Sequence, residues 1–401
     1  MVRRVLSLAT LYPNAHMPRF GTFVARQMEA LATRGDWEVT LINPIGVPPL
    51  APGRYRALAE AAVDGVESGV TVYRPRFPLI PRIGGPINPW LIARTVLPLA
   101  KRLHAKKPFD LVDAQFFYPD GPAAARIADA LGLPLSIKAR GADISHWGHL
   151  ASSRRQMQTA GERATGLLAV SEALKRDMAA IGLPEGKIHV HYTGLDRAQF
   201  HPRDRGEARA ELAEQFGVRI ATGERLIASV GALIPRKGQA LLIDMLAGMP
   251  GTHLVLVGQG RDRAMLESEV ARLRLTERVH FLGNVDHAAL PVVLAASDVM
   301  ALNSASEGLA NAWVEALACG TPVVISDVGG ARELVRSETA GRVVPYDPGF
   351  DPADFEMAIR ELFLADYAPA EVAANVAQFS WEANAAALAA YYEGLIAPEP
   401  A

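Results

Sequence analysis

Residues 299–324, VMALNSASEGLANAWVEALACGTPVV, decide the architecture. The apolar run VMALNS stops at a polar turn containing Gly308. Leu309, Trp313, Ala316 and Leu317 then recur at helical spacing, and TPVVISDVGG resumes a β-branched run. A buried strand, a helix with one apolar face and a second buried strand make one βαβ unit of a parallel sheet. Within it Glu307 and Glu315 stand eight positions apart, with Asn311 between them. On one helix, eight residues turn a side chain by about 80° and advance it by roughly 12 Å. That exceeds the about 5 to 9.5 Å of a glycosidase carboxylate pair, so the acids are not one acid–base dyad. They suit opposite ends of an elongated ligand, with the amides of Gly308, Leu309 and Ala310 between them as a helix N-terminus that favours an anion or a sugar oxygen.

The same rhythm runs outward in both directions. Toward the carboxyl end of the chain it continues to GRVVPY and closes on FSWEANAAALAAYYEGLIA, whose apolar positions fit a terminal helix. Upstream lie RLIASVGAL, THLVLVGQG and RVHFLGNV, then the polar stretch QFHPRDRGEARAELAEQFGV, which marks a domain junction near residue 197. Before it, VRRVLSLA, WEVTLIN, GVTVYRP, FDLVDAQ, LPLSIKAR, GLLAVS and IHVHYTG read as strands, with TFVARQMEALATRG and GPAAARIADALG as helices. The Pro- and Gly-rich region 43–90 reads as an exposed, loop-rich excursion. The expectation is two doubly wound α/β domains, 1–196 and 197–377, with the terminal helix 378–397 packed back on the first. A ligand then belongs in the cleft between them, at the carboxyl ends of the strands.

Composition narrows the function classes. A chain of 401 residues, half of them hydrophobic, is long enough for two cores. It contains no apolar run long enough to span a bilayer, and MVRRVLSLATLYP reads as a first strand, not as a signal peptide. Cys319 is the only cysteine, so nothing calls for an oxidising compartment and the cytoplasm is the expected location. Residues 1–200 hold 25 Lys+Arg against 16 Asp+Glu, net +9, whereas 201–401 hold 16 against 27, net -11. A basic half favours anionic partners such as phospholipid headgroups or a phosphorylated acceptor. Nucleic acid is not expected, because the cations are scattered and no binding motif with interleaved aromatics accompanies them.

Other candidate residues fall at strand ends. In GALIPRKGQALL, Arg236 and Lys237 lie in a loop between strand and helix, where cations could neutralise a diphosphate, although such a pair is also ordinary solvated surface. The turn is not a P-loop, since Lys237 precedes Gly238 and no Ser/Thr follows to hold Mg²⁺. VGQGRDRAM places Gly258 and Gly260 after a strand, but Arg263 stands where a third dinucleotide-binding glycine would be. Gly21 opens the first helix beside Arg19. IKARGADIS puts Arg140, Gly141 and Asp143 at a strand end, which fits an anion site or an Arg–Asp pair in a turn. No His, Cys, Asp or Glu group has metal-ligand spacing, so no metal and no cofactor is expected.

Taken together, RFGTFVARQMEALATRG, YPDGPAAARIADALGLP, AVSEALKRDM, YTGLDRAQFHP, GALIPRKG, LVLVGQG, RVHFLGNV, SEGLANAWVEALACGTPVV and FSWE resemble family 4 of the retaining glycosyltransferases, in family order and over nearly the whole chain. Within that family the amino-terminal segment looks most like enzymes of capsular, teichuronic or exopolysaccharide synthesis. The resemblance implies the GT-B fold, two facing Rossmann-like domains, and a metal-independent hexosyltransferase. The donor would be a UDP-, GDP- or other nucleoside-diphosphate sugar. The acceptor would be a glycan or a polyprenyl-linked hydroxyl, at the inner face of the plasma membrane.

By the same resemblance, Lys237 contacts the donor diphosphate and Glu315 the ribose. Glu307 approaches the transferred sugar beside Gly308 to Ala310. Gly258, Gly260, Asn284 and Val285 approach the base, and Gly21 the phosphates. Three positions depart from the family. Ala232 stands in place of an Arg for which Arg236 is a substitute, Arg140-Gly141 in place of His-Gly, and Thr193-Gly194 in place of Asn-Gly. An Arg at 140 keeps a cation at the leaving group but accepts no proton near neutral pH. Anionic membrane contact is expected from Arg74, Arg76, Arg82, Lys101, Arg102, Lys106 and Lys107 combined with Phe77, Leu79, Ile80, Ile83 and Trp90, for which an ordinary solvated surface over a core is the competing reading. The competing functions are a sugar-nucleotide epimerase or hydrolase, and a non-catalytic two-lobed sugar-binding protein.

Overall fold

The computed structural model describes residues 2–50, 53–81, 84–346 and 351–397. Two compact units share the chain: 1–194 with 381–401, and 195–380. The sequence had placed these divisions at 196/197 and 377/378.

The first unit is built on a sheet of eight strands: β1 (Arg3–Leu8), β2 (Trp37–Ile42), β4 (Gly65–Glu67), β5 (Val70–Tyr73), β7 (Leu111–Ala114), β8 (Leu135–Lys138), β9 (Gly166–Ala169) and β10 (Ile188–Val190), in the order β10-β9-β8-β7-β1-β2-β5-β4. Every pairing is parallel except β4 with β5. Side-chain alternation divides its residues between two layers. Leu6, Val112, Ile137 and Leu167 pack with Ile92, Val96, Ile127 and Met157 of the helices Asn88–Lys106, Asp120–Leu131 and Ala151–Arg163. Val5, Val39, Leu111 and Leu168 pack with Met28 and Leu31 of the helix Thr22–Thr33, and with Leu388 and Tyr392 of the helix Trp381–Ile396. The returning helix is seated at Gly194, where a Cβ would stand 2.1 Å from the Trp381 ring.

The excursion 43–90 is more ordered than its prolines imply. Two short strands, β3 (Ile45–Val47) and β6 (Arg76–Pro78), pair in parallel, and the helix Arg54–Glu60 lies between them in sequence. The helix beginning at Asn88 runs on through Pro98. Phe77 is buried, and Arg74 is buried on the carbonyls of Val63 and Pro13 and on Glu67, so neither is available to a membrane. Arg82 and Ile83 lie outside the described residues.

The second unit carries β11 (Arg225–Val230), β12 (Thr252–Val257), β13 (Val279–Gly283), β14 (Val299–Leu302), β15 (Val323–Ser326) and β16 (Gly341–Val344), all parallel, in the order β13-β12-β11-β14-β15-β16. The polar stretch at the junction is its first helix, Arg205–Phe216, capped by the Asp204 carboxylate on the Glu207 amide. Among the described residues no helix is long and apolar enough to cross a membrane.

Candidate functional site

In the second unit the candidate residues gather beyond the ends of β11, β12, β13 and β14. The turn Pro235–Lys237 ends at Gly238, whose backbone is left-handed and whose missing side chain would stand 2.1 Å from the carbonyl oxygen of Asn303. Only glycine permits that approach. It brings the Arg236 carbonyl to the Ala305 amide, 2.8 Å, and ties the cationic turn to the loop carrying Glu307. Lys237 Nζ hydrogen-bonds Glu307 Oε1, and both side chains are nearly buried. Arg236 donates NH1 to the Ser306 carbonyl and lies 3.6 Å from Glu307 Oε1, so from its different sequence position it reaches the acid that Ala232 cannot.

The helix after this loop begins at Asn311, with Ala310 as its cap residue. Gly308, Leu309 and Ala310 therefore precede the helix, and the head of the helix is formed by the amides of Asn311 and Ala312. Glu307 lies outside the helix and Glu315 within it, so the single-helix spacing argued from sequence does not apply between them. The apolar face is as expected, with Leu309, Trp313, Ala316 and Leu317 all buried.

Glu315 has a partner that the sequence did not reveal. His287 Nε2 donates to its Oε1 at 3.0 Å, and the ring lies 5.0 Å from that of Phe200. Gln199 fixes the His287 backbone through its carbonyl. His287 closes the turn that starts with Asn284 and Val285, the first exposed and the second buried. That turn joins the glycine loop through Gly258 N–H to Gly283 O, 2.7 Å, and Leu233 N–H to Gln259 O, 3.0 Å, joins the loop with Gly260 to the strand end before Arg236.

In the first unit Gly21 caps the helix Thr22–Thr33 in a left-handed conformation. Phe23 from its first turn and Gln27 from its second meet Arg140, two residues beyond β8. The guanidinium carbon lies 5.0 Å from the Phe23 ring centre. Arg140 Nε donates to the Gln115 carbonyl at 3.2 Å, and NH2 donates to Gln115 Oε1 at 2.5 Å and to Gln27 Oε1 at 3.3 Å. NH1 has no hydrogen-bond acceptor among the described residues. Burial lowers the guanidinium pKa to about 10, so it stays cationic at neutral pH. Asp143 is not its ion-pair partner. That carboxylate accepts the backbone amides of Phe117 at 2.8 Å, Arg140 at 3.0 Å and Gly141 at 2.8 Å, and so fixes the loop. Among the described residues no three His, Cys, Asp or Glu side chains form a set that could hold a metal ion.

Two doubly wound sheets, parallel but for the β4 edge of the first, with a terminal helix returned to the first and an acid pair on the second, define the GT-B architecture. Residues 20–199 match the model of Glycosyltransferase Family 4, and residues 211–379 that of the Glycosyl transferases group 1. The chain therefore carries an amino-terminal Glycosyltransferase Family 4 domain followed by a Glycosyl transferases group 1 domain. Relatives include a Bacillus subtilis glycosyltransferase assigned to teichuronic acid biosynthesis, TuaC, 26% identical over 343 residues and 82% of each chain. A D-inositol 3-phosphate glycosyltransferase of Mycobacteroides abscessus is 35% identical over 53% of this chain and 47% of its own. Among solved structures, Anabaena HepE with UDP-glucose aligns at TM-score 0.72 and 23% identity over 98% of this chain and 99% of its own. The sucrose-phosphate synthase of Thermosynechococcus elongatus aligns at 0.77 and 23%, with the same coverage. These structural likenesses establish the fold.

Proposed function

We propose that the protein transfers a glycosyl group from a nucleoside-diphosphate sugar to a hydroxyl, with retained anomeric configuration and without a resident metal. The observation that carries this reading is that each acid of the Glu307…Glu315 stretch holds a base, Lys237 on Glu307 and His287 on Glu315. Both pairs are exchangeable. A donor diphosphate draws Lys237 and Arg236 to itself and frees Glu307 for hydroxyls of the transferred sugar. Ribose hydroxyls replace the His287 N–H on Glu315, next to a base laid along Gly258, Gly260, Asn284 and Val285.

The chemical demand is the charge on the departing diphosphate. Lys237 and Arg236 are suited to supply cations for it, and Arg140, with NH1 uncommitted, to supply a fixed one. The leaving phosphate then takes the acceptor proton on the face it vacates, which requires no dedicated protein base. The UDP-glucose bound by HepE and the teichuronic acid biosynthesis to which TuaC is assigned support a UDP-sugar donor and a glycan or polyprenyl-linked acceptor in bacterial surface polysaccharide synthesis.

The first unit is also the proposed membrane-facing part, at the inner face of the plasma membrane. Ile80, Ile87, Trp90 and Leu150 are exposed, Arg94 lies 5.2 Å from the Trp90 ring centre, and Lys101 and Arg102 are exposed farther along the same helix. Flotation with phosphatidylglycerol vesicles at low salt, lost at high salt, is expected; no flotation at low salt discards this part. The transfer reading itself is tested by nucleotide release across a panel of nucleotide sugars, with Glu315→Ala as control. Release that the control leaves unchanged removes Glu315 from the donor site.

A further inference from the structure

Lys138, the last residue of β8, has no solvent exposure at all. Strand alternation puts it on the same side of the sheet as Ser136, and it lies in the layer beneath the helices Thr22–Thr33 and Trp381–Ile396. Its Nζ meets two groups, Gln27 Oε1 at 2.9 Å and His191 Nδ1 at 2.6 Å. The second contact has a defined polarity. His191 Nε2 lies 2.9 Å from the Asn384 carbonyl, which only accepts, so Nε2 carries the ring proton and Nδ1 accepts from the lysine. Asn384 is itself fixed by donating Nδ2 to the Tyr192 carbonyl at 2.7 Å.

The other contact determines how the amides beneath Arg140 are turned. With Lys138 donating to Gln27 Oε1, Gln27 Nε2 points to Gln115 Oε1, 3.0 Å, and Gln115 Nε2 donates to Asp113, which also accepts from Ser7 Oγ at 2.9 Å. Both carboxamide oxygens therefore converge on Arg140 NH2. Turning Gln27 over would direct its NH2 group at two other donors, Lys138 and Arg140. Burial, reinforced by the charge of Arg140, pushes the Lys138 pKa well below the usual lysine range. Burial and Lys138 together push that of His191 well below the usual imidazole range.

We infer that Lys138 is a positioning residue: by orienting Gln27, and through it Gln115, it holds the Arg140 guanidinium with NH1 uncommitted, and through His191 and Asn384 it links that arrangement to the C-terminal helix. This rests on the reading of Arg140 as a leaving-group cation, and the test separates the two.

Lys138→Met keeps the length of the side chain and removes both donors; Gln27→Leu removes the intervening oxygen and leaves the lysine. In full-length protein labelled at arginine with ¹⁵N, the Arg140 Nε–H resonance, assigned through Arg140→Lys, is expected to be slow to exchange with solvent. It is expected to shift and exchange faster in both variants while their circular dichroism is retained. With UDP-glucose as probe, both variants are expected to release UDP at least roughly tenfold more slowly with little change in KM, and to cost nothing further in an Arg140→Ala background. An Arg140 resonance unaltered in a folded variant overturns the positioning role, as does an equal loss of rate in both backgrounds. Full activity of Arg140→Ala instead defeats the reading of Arg140 and leaves the resonance result to decide the role of Lys138. If Lys138→Met does not fold, Gln27→Leu carries both measurements; if UDP-glucose is not turned over, the resonance decides alone.

Discussion

The two units stabilise their candidate charges in opposite ways. In the second, Glu307 accepts from Lys237 and Glu315 from His287, contacts open to displacement by a ligand, and Arg236 and His287 remain substantially exposed. In the first, Arg140 is held by neutral amides above a buried layer containing Lys138, His191 and Asp113, with no carboxylate paired to its guanidinium among the described residues. Displaceable side-chain pairs suit a site that must rearrange around a donor. Amides that are satisfied among themselves suit a cation whose direction must already be set, because reorganisation during the reaction adds to the barrier. Changes in the buried layer of the first unit should therefore register in stability and turnover, and changes in the second in donor recognition and, at Lys237, in turnover.

The largest effect is expected from a buried carboxyl of the first unit. Asp120 is fully buried, with Oδ2 accepting from the Thr10 amide at 2.9 Å and Oδ1 without a partner among the described residues, and burial pushes its pKa up to about 7. The folded chain therefore keeps a proton that the unfolded chain releases near pH 4. This stabilisation is complete below about pH 4 and is lost as pH rises through 7, a swing on the order of 4 kcal/mol. Asp120→Asn should lose that dependence, so its stability relative to the parent, measured by urea unfolding, should rise between pH 5 and pH 8.5. A constant difference would show that the carboxyl ionises normally in the fold.

Next is Lys237→Ala. Removing the cation proposed for the leaving diphosphate should lower kcat/KM for the donor about 100- to 1,000-fold in nucleotide-release assays, with little change in melting temperature. A loss in stability without a loss in turnover would make the Lys237–Glu307 pair a structural bridge. Glu315→Ala should act mainly on donor affinity, weakening nucleotide binding by calorimetry by about 10- to 100-fold, as for hydrogen bonds to a charged group. The smallest effect belongs to His287→Ala. Because His287 competes with the ligand for Glu315, its loss should leave the dissociation constant for the nucleotide unchanged or lower it by about threefold, in keeping with the modest worth of an exposed pair. Weakening as large as that of Glu315→Ala would show instead that His287 orients the acid for the ribose.

Much of this was legible in the sequence. All thirteen strand stretches identified in the sequence became strands of the two large sheets, most of them buried along their length, where burial on both faces selects apolar runs. Only β3, β4 and β6 were absent, each three residues long and set among prolines and glycines where periodicity has no room to appear. The acid and cation positions of the second unit were legible as residue types at strand ends, but not their pairing. Lys237 meets Glu307 across 70 positions, and His287 meets Glu315 across 28, through loops whose course follows from Gly238 and the glycine turns. The helix start was misplaced because Gly308-Leu309-Ala310 has no capping side chain to mark it. The polar layer of the first unit had a signal that went unread: Ser136, Lys138 and Arg140, and likewise Asp113 and Gln115, alternate with apolar residues and so share one side of their strands.

The measurement that bears most directly on the proposed chemistry is the anomeric configuration of the product. An α-linked nucleotide sugar that is turned over should be incubated with the protein and a hydroxyl acceptor, and the new glycosidic bond followed by proton NMR as it forms. An α-linked product, with nucleoside diphosphate released in equal amount and no loss on treatment with a metal chelator, is the expected result. A β-linked product would contradict retention, and with it the use of the leaving phosphate as base on the face it vacates.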